Sequence, residues 1–266
     1  MKAYLRKFLW KIKIRSGILI GRLTVRWRMR PDFLIIGVQK GGTSSLFYYL
    51  KFHPQIRRPI KKEVHYFNMF FDRGLTWYLA HFPLRSSKHI TGEASPDYIF
   101  HPDSPQRVNE FNPDMKLILL LRDPIKRAYS AYQMNRRMGI DKSNTFEQAI
   151  QYELDHKDEF AEVYNYERHN LFYLERGLYA QQIEQWTKVI DKKNLLVINS
   201  NDFFSDTNAV LKQVYHFLNI EVQLPPTLKP MNVGSYPPLS EETYTNIQDY
   251  FKADAHKLKT EWQIEF

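Results

Sequence analysis

The chain of 266 residues contains no cysteine, which excludes disulfides, thiolate metal sites and cysteine nucleophiles. Long apolar runs are absent from the N-terminal region as well, where no run in residues 1–30 is longer than three residues, as in Ile18-Leu19-Ile20. A membrane-spanning helix needs about 20 apolar residues, and a secretory signal needs an apolar region before its cleavage site, so neither is expected here. These absences favour a cytoplasmic protein.

Acidic residues are missing from residues 1–30, although ten of the 38 basic residues lie there. The remaining 28 basic and 29 acidic residues give residues 31–266 a net charge of −1, so the total of +9 comes from this N-terminal arm. The apolar residues of the arm recur at helical spacing: Tyr4, Leu5, Phe8, Leu9 and Ile12. A basic amphipathic helix of this kind can lie on an anionic membrane surface.

Two other interpretations of the arm remain open. The helix can pack on the rest of the protein with its cations extended to solvent, or its basic residues can contact nucleic acid. Because the sequence contains no recognised nucleic-acid-binding module, we expect no nucleic-acid partner. The sequence predicts two parts, a basic amphipathic arm over residues 1–30 and one domain over residues 31–266. The favoured interpretation of the arm is peripheral contact with the inner face of a membrane.

Short apolar runs alternate with helical patterns along the rest of the chain. Three runs have the continuous apolar character of buried parallel strands: Phe33 to Gly37, Lys116 to Leu121 and Leu195 to Asn199. Helical patterns accompany them over four stretches: 43–52, 124–139, 179–190 and 207–218. The alternation predicts an α/β protein with a P-loop-like three-layer fold, in which a central parallel sheet is flanked by helices. Residues 141–175 are expected to form helices and loops over the site.

The segment from Gly37 to Ser45, GVQKGGTSS, follows the first predicted strand and has the composition of an anion-binding loop. Its glycines let backbone N–H groups approach an anion, the next helix adds the positive end of its dipole, and Lys40 adds a cation. The ATP-type pattern G-x-x-x-x-G-K-[ST] fails, because Thr43 stands where lysine is required. The sequence predicts anion binding here, with a purely structural glycine-rich turn as the alternative.

A second cluster lies in the segment LILLLRDPIKRAYSAY. Arg122 directly follows an apolar strand, at the end where open α/β sheets bind their ligands, and Ser130 lies on the next helix. A guanidinium fork and a hydroxyl suit a second phosphate. The alternative is an arginine that pairs with Asp123 or with a helix end.

These two segments, in this order, resemble the PAPS-dependent sulfotransferases, and most closely their heparan sulfate N-/O-sulfotransferase branch (PAPS is 3′-phosphoadenosine 5′-phosphosulfate). Further similar segments are KKEVHYFN, GLTWYLAHFP, GEASPDYIFHP, RGLYAQQIEQW and NVGSYPPLSEETYTNIQDYF. The resemblance extends over about residues 33–262. It implies in-line transfer of a sulfuryl group from PAPS to a carbohydrate or glycoconjugate. The acceptor atom is expected to be a hydroxyl rather than an amine, and no metal is expected.

By this resemblance the loop binds the 5′-phosphosulfate of PAPS through six residues: Lys40, Gly41, Gly42, Thr43, Ser44 and Ser45. Arg122 and Ser130 match the residues that hold the 3′-phosphate. A C-terminal loop closes over that phosphate in the family, and animal members usually carry Lys-Gly-Arg there. The present chain has Val233, Gly234 and Ser235 instead, so a backbone donor remains but the cation is missing.

The catalytic base is expected in KKEVHYF, where Glu63 and His65 are two residues apart. In an extended segment such side chains face the same side. The glutamate of this motif is the proposed base in the heparan sulfate branch, and the resemblance carries that role to Glu63. His65 is predicted to orient the acceptor or to support Glu63, and Lys40 to neutralise charge on the leaving oxygen. Alternatively, Glu63 only pairs with Lys61 or Lys62, and His65 is structural.

Acceptor recognition cannot be transferred from the family, because many animal members have a lysine where this chain has Ala94. The neighbouring Glu93 and Ser95 either line the acceptor cleft or are structural. Three aromatic residues are candidates for stacking on sugar rings: Trp77, Tyr78 and Tyr98.

Two different functions compete with sulfuryl transfer. A P-loop nucleotide kinase would require magnesium-dependent ATP turnover and the lysine that Thr43 replaces. A non-catalytic adaptor would use the basic arm to bind a membrane or nucleic acid, with the α/β domain as its scaffold. The pair of predicted phosphate sites disfavours the adaptor.

Overall fold

The computed structural model describes residues 2–161, 169–226, 228 and 236–266, and its centre is a parallel sheet of five strands. The strands are β1 (Phe33–Gly37), β2 (Ile56–Arg57), β3 (Ile90–Ala94), β4 (Lys116–Leu121) and β5 (Leu195–Asn199). They lie in the order β2-β3-β1-β4-β5, and every neighbouring pair is parallel. The carboxyl end of β1 therefore opens between those of β3 and β4.

Helices connect and cover these strands. The described residues form ten α-helices: α1 (Lys2–Leu23), α2 (Thr43–Leu50), α3 (Gly74–Leu79), α4 (Ser104–Phe111), α5 (Pro124–Met138), α6 (Phe146–Ala161), α7 (Tyr179–Thr187), α8 (Ser200–Ser205), α9 (Thr207–Phe217) and α10 (Glu241–Trp262). None of the helices in these ranges has the length and apolar character that crossing a membrane requires.

The side chains of β4 explain why its sequence is continuously apolar. Leu117, Leu119 and Leu121 belong to one buried cluster, with residues of α3, α4, α7 and α10. Ile118 and Leu120 point the other way, into a cluster with residues of α2, α8 and α9. Successive residues of a strand face opposite sides, so a strand covered on both faces is apolar throughout. The predicted three-layer α/β fold is confirmed.

The sheet contains two strands that periodicity did not predict. β2 has only two residues, too few for a pattern, and β3 reads ITGEA, with a glycine and a glutamate inside it. Glu93 of β3 is completely buried, and its carboxylate accepts four hydrogen bonds that offset the cost of burial. Strands held in place by such tertiary contacts carry no apolar signature in the sequence.

The predicted helix of the arm is α1, and its last two turns pack on the domain. Ile18 contacts the buried cluster, and Gly21 lies against the backbone of Ala80, where an added Cβ would come within 2.8 Å of the Cα of Ala80. Beyond the helix, the N–H of Met29 donates to the carbonyl of Pro83 at 2.8 Å. Packing therefore describes this part of α1, while the division of the chain at residue 30 stays a prediction.

The contact at Gly21 can be tested by Gly21→Ala, with Ser16→Ala on the exposed side of α1 as the control. Helix propensity alone would make Gly21→Ala stabilising by about 1 kcal/mol. We expect the reverse, a loss of about 1–3 kcal/mol in the free energy of unfolding, because the new methyl group collides with backbone. Urea denaturation of both variants measures the difference. An unchanged or increased stability of Gly21→Ala would contradict the packing of α1.

Candidate active site

The carboxyl ends of β1, β4 and β5 border a crevice of about 790 Å³. Its lining includes seven of the residues predicted from sequence: Lys40, Gly42, Thr43, Ser44, Glu63, Arg122 and Ser130. Since parallel strands end at one edge of a sheet, residues that are far apart in sequence meet there. The crevice thus joins the anion-binding loop, the second cluster and the expected base.

The loop between β1 and α2 is shaped by backbone conformations that few residues adopt. Gly42 has φ 104° and precedes the first turn of α2, and Lys40 has φ 72°. A lysine with positive φ is uncommon and costs free energy, which is typical of functional sites. The loop is held to the neighbouring strand β4 by the N–H of Val38, which donates to the carbonyl of Leu120 at 2.9 Å.

Three cations line the crevice without an ion-pair partner among the described residues: Lys40, Arg122 and Lys126. Burial lowers the pKa of Lys40, and the positive charges of Arg137 and Arg122 lower it further. Two carboxylates of the lining have other partners, since Asp97 pairs with Arg176 and Asp123 accepts from the hydroxyl of Tyr244 at 2.8 Å. Like charges held together in this way favour an anionic ligand.

The β4–α5 turn positions the second cluster. Asp123 caps α5 by accepting from the N–H of Lys126 at 2.8 Å, and the carbonyl of Arg122 accepts from the hydroxyl of Tyr179 at 2.9 Å. The guanidinium of Arg122 donates to the carbonyl of Lys40 at 3.3 Å, which joins it to the loop. Ser130 lies on α5, where it lines the crevice.

The side chain of Lys62 connects the expected base to the loop. Its ammonium lies 2.8 Å from the Oε1 of Glu63 and 2.9 Å from the Oγ of Ser44. Burial would raise the pKa of Glu63, but a hydrogen bond with His65 and the charge and hydrogen bond of Lys62 lower that pKa to about 2. Glu63 is therefore an ionised carboxylate at neutral pH.

His65 lies behind Glu63 and does not line the crevice. Its ring atom Nε2 is 3.6 Å from the Oε2 of Glu63, and its backbone N–H donates to the Oγ of Ser95 at 3.0 Å. The φ of His65 is 60°, so it joins Lys40 as a described non-glycine residue with positive φ. This position suits support of Glu63, whereas orientation of an acceptor by His65 stays a prediction.

Glu93 fixes the segment that carries Glu63, the expected base. Its carboxylate accepts from the N–H of Val64 at 3.0 Å, from Ser95 at 2.6 Å and from the hydroxyl of Tyr98 at 2.5 Å. Burial raises the pKa of Glu93, while these hydrogen bonds oppose that effect. Glu93 and Ser95 are fully buried and do not line the crevice. Of the two predicted alternatives, a place in the acceptor cleft or a structural role, their positions fit the structural role.

Stacking on sugar rings, one role considered for three aromatic residues that are more often found in cores, is wrong. Tyr78 and Tyr98 are completely buried and Trp77 is 7% exposed, so no ring face is open to a sugar. Tyr78 instead stacks on Tyr66, with the ring centroids 4.4 Å apart. These rings form the core beneath the base segment.

Several residues of the crevice were not predicted. Asp97 follows β3, and Asn201 follows β5, so the ends of these strands point to both. Met134 and Met138 repeat the position of Ser130 at intervals of four residues along α5, which is a detectable helical pattern. The sequence motifs identified only two strand ends, β1 and β4, and therefore predicted only part of the lining.

Some predicted residues lie elsewhere. Gly41 and Ser45 do not line the crevice. The N–H of Gly41 donates to the carbonyl of Val38 at 2.9 Å, and Ser45 is 1% exposed. Their contact with a donor stays a prediction. The C-terminal loop residues Val233, Gly234 and Ser235 lie outside the described residues. Tyr236, which comes next, lines the crevice.

A family profile described as "Sulfotransferase domain" matches residues 30–259. The chain belongs to the sulfotransferase family. Among curated proteins it is 28% identical to "Membrane-associated sulfotransferase kil1" of Dictyostelium discoideum, over 86% of this chain and 64% of that protein. It is 32% identical to human "Heparan sulfate glucosamine 3-O-sulfotransferase 3B1", over 72% of this chain and 46% of that protein. The predicted family, and its likeness to the heparan sulfate branch, are confirmed.

Solved structures agree with the family assignment. A sulfotransferase from Alicyclobacillus acidocaldarius superimposes with a TM-score of 0.77 at 26% identity, over 90% of this chain and 98% of that one. Mouse sulfotransferase SULT7A1, whose crystal structure is complexed with PAP, has a TM-score of 0.54 at 15% identity, covers 89% of this chain and 87% of its own, and so supports the fold alone. The chain spans between 46% and 64% of the length of the two curated relatives described above.

The contact between Lys62 and Glu63 generates a prediction about pH. Lys62→Met removes the nearby cation, so the pKa of Glu63 should rise from about 2 towards 4.5. Lys61→Met is the control, since no ion pair joins Lys61 to Glu63 among the described residues. Carbon-13 NMR titration of the Glu63 carboxyl in each variant measures the pKa. An equal pKa in Lys62→Met and wild type would show that Lys62 does not hold the charge of Glu63.

Proposed function

We propose that the chain transfers a sulfuryl group from PAPS to a hydroxyl of a carbohydrate or glycoconjugate acceptor. The observation that carries this proposal is the meeting of Lys40, Arg122 and Glu63 in one crevice. Two of these side chains are cations that suit an anionic donor, and the third is a carboxylate that can take a proton. PAPS carries two separate anionic groups on its ribose, a 5′-phosphosulfate that contains the activated sulfate and a 3′-phosphate.

The residues of the crevice fit such a donor. Lys40, Thr43 and Ser44 would hold the 5′-phosphosulfate at the first turn of α2, where the helix dipole and hydroxyl donors favour an anion. Arg122 and Ser130 would hold the 3′-phosphate. The cations of the crevice have no paired carboxylate among the described residues, so an anion entering here would meet unneutralised positive charge.

Lys40 would assist the leaving group. Burial already lowers its pKa, and the added charges of Arg137 and Arg122 make its positive charge costly in the absence of an anion. Negative charge that develops on the leaving oxygen relieves this repulsion, so stabilisation grows as the bond to that oxygen breaks.

Glu63 would take the proton of the acceptor hydroxyl. A carboxylate with a pKa of about 2 is a weak base, because Lys62 and His65 stabilise its ionised form. Lys62 also contacts Ser44 of the donor loop, so an anion bound in that loop competes with Glu63 for the ammonium. Occupation of the loop would thereby raise the pKa of Glu63 and make it a stronger base when the donor is present.

The acceptor class is proposed from the relatives. Several curated relatives are named heparan sulfate glucosamine 3-O-sulfotransferases, a name that specifies sulfation of a glucosamine on oxygen. This supports a sugar hydroxyl over an amine. The described residues contain no group of three or more metal-ligating side chains, and chemistry without a metal stays a prediction. The family assignment and Thr43 in place of the Walker lysine both disfavour the kinase.

Glu63→Gln tests the base. The amide cannot accept the proton, so we expect kcat to fall by about 10²–10⁴-fold. Binding of PAP should remain, because the cations that hold it are untouched. Turnover of labelled PAPS with heparan-type oligosaccharides and calorimetry with PAP measure the two properties. The matched control, Glu110→Gln on an exposed turn of α4, should leave both unchanged. Turnover close to wild type in Glu63→Gln would refute Glu63 as the base.

We also propose that residues 1–30 contact an anionic membrane surface. This segment has ten basic and no acidic residues, and one curated relative is named a membrane-associated sulfotransferase. Basic residues close to an anionic bilayer contribute about 1 kcal/mol each to binding. The location at the inner face of a membrane is part of this proposal.

Reversal of two exposed charges, Arg22→Glu with Arg26→Glu, tests the membrane contact. We expect about a hundredfold weaker binding to vesicles of phosphatidylglycerol and phosphatidylcholine, with PAP binding retained. Lys212→Glu with Lys257→Glu changes the net charge equally on α9 and α10 and should bind vesicles like wild type. Cosedimentation measures binding. Equal loss in both double variants would indicate a response to net charge and contradict a role of the arm.

A further inference from the structure

The outward face of α1 carries an apolar stripe. Five side chains, each between 47% and 78% exposed, form it: Leu9, Ile12, Leu19, Ile20 and Leu23. Steps of three and four residues place them on one side of the helix. Ser16 lies in the same stripe, and its hydroxyl donates to the carbonyl of Ile12 at 2.9 Å, so its polar group is satisfied within the helix. Exposed apolar surface of this extent marks a binding surface.

Basic residues flank the stripe. Arg15, Arg22 and Arg26 are exposed and recur at steps of seven and four residues, beside the apolar side chains. No acidic residue lies anywhere in residues 1–30, so this segment contributes no charge that repels an anionic partner. Trp27 follows the helix and is 61% exposed, and tryptophan is favoured at the boundary between lipid and water. This combination of charge and apolar area fits an anionic bilayer.

The opposite face of α1 fixes how the helix lies on the domain. An added Cβ on Gly17 would come within 3.1 Å of the side chain of Ile60, and one on Gly21 would collide with the backbone of Ala80, so both glycines face the domain. Past the end of the helix, Arg28 pairs with Leu84 shortly before β1 begins. The outward stripe and the domain are thus on opposite sides of the helix.

The direction of α1 follows from where these contacts lie on the sheet. Ile60 comes three residues after β2 ends, and the carbonyl of Lys62 accepts from the N–H of Ala94, at the carboxyl end of β3. Arg28, in contrast, precedes the amino end of β1. From Gly17 to Arg28 the chain therefore runs from the crevice edge of the sheet to the opposite edge, against the direction of β1.

The N-terminal part of α1 consequently continues past the crevice edge. The fifteen residues from Lys2 to Ser16 lie before the contact at Ile60, and a helix of that length extends about 22 Å. If the stripe rests on a bilayer, the domain lies on the far side of α1, separated from the lipid surface by about one helix diameter, 10–12 Å. The crevice, which contains Glu63, then opens sideways just above the lipid surface.

We infer that the acceptor is a glycan anchored to the membrane on which α1 lies, with its sugars presented at the height of the crevice. This inference rests on the proposed sulfuryl transfer and on the proposed membrane contact, and it adds the orientation of the domain and the physical state of the acceptor. A sugar carried by the same bilayer reaches Glu63 at a high effective concentration, whereas a free sugar must diffuse from solution.

The orientation can be measured because the chain has no cysteine, so a single added cysteine takes one fluorophore. Lys61→Cys places the fluorophore beside Ile60, where α1 meets the crevice edge, and Lys212→Cys places it on α9, on the other face of the sheet. The vesicles contain phosphatidylglycerol, phosphatidylcholine and a spin-labelled lipid that quenches nearby fluorescence. PAP calorimetry on each variant verifies an intact crevice.

We expect strong quenching at position 61 and little at position 212. Equal or stronger quenching at position 212, or none at either position while the protein cosediments with vesicles, would overturn the inferred orientation. Failure to cosediment would overturn the membrane contact and this inference together, while PAPS turnover with free acceptors tests the sulfuryl transfer separately.

The membrane-anchored acceptor is tested separately, by comparing the sulfation rates of one heparan-type oligosaccharide in two forms. One form is free in solution, and the other is coupled to lipid in the same vesicles. Wild type and the exposed control Val222→Glu should sulfate the lipid-linked form at least about tenfold faster. Leu19→Glu with Leu23→Glu places charge in the stripe and should lose this advantage while it keeps turnover of the free form. Equal rates for both forms in wild type would overturn the membrane-anchored acceptor. Sulfation of neither form would instead refute the proposed carbohydrate acceptor, and the quenching result would still decide the orientation.

Discussion

The pairing of β1 with β4 is the constraint on which the site depends. Both strands are covered on both faces, and their carboxyl ends place the β1–α2 loop and Arg122 at the same edge of the sheet. The N–H of Val38 continues the pairing by donating to Leu120, and an added Cβ on Gly41 would come within 2.6 Å of the carbonyl oxygen of Leu120. The loop is therefore held by backbone contacts, which leaves the side chain of Lys40 available for a ligand.

The proposed base, Glu63, is supported from another part of the sheet. Glu93 of β3 accepts a hydrogen bond from the backbone N–H of Val64, and Ser95, directly after β3, accepts one from the backbone N–H of His65. A carboxylate in this position has to be satisfied by several donors, because an unpaired buried charge would be very costly. The same contacts that stabilise Glu93 thus position the segment that carries Glu63. Lys62 joins this segment to the β1–α2 loop, because its ammonium contacts both Glu63 and Ser44.

Sequence patterns predicted the parts of this arrangement that depend on local chemistry. The apolar runs of β1, β4 and β5 identified the centre of the sheet, since strands covered on both faces need apolar residues at every position. Glycine, lysine and hydroxyl residues after β1 identified the loop, and Arg122 after β4 identified the second cluster. Motifs at strand ends are local in sequence, which is why single segments were sufficient.

The sequence was less informative where tertiary contacts decide. β2 and β3 lack an apolar pattern, and the burial of Glu93 depends on donors from four other residues. Tyr78 and Tyr98 looked like candidates for sugar stacking, because an aromatic residue in a core and one in a cleft have the same sequence signature. The ion pair of Asp97 with Arg176 joins residues 79 positions apart, and nothing near either residue indicates the other.

The proposed function requires that the crevice bind a nucleotide with phosphates on both the 3′ and the 5′ position of its ribose. Calorimetry with PAP and with adenosine 5′-monophosphate, on wild type and Arg122→Met, tests it most directly. Wild type should bind PAP about tenfold or more tightly than the monophosphate, because a charged hydrogen bond to the 3′-phosphate contributes about 1.5–3 kcal/mol. In Arg122→Met that preference should largely disappear while the monophosphate binds as before. Equal affinity of wild type for the two nucleotides would contradict the assignment of the crevice.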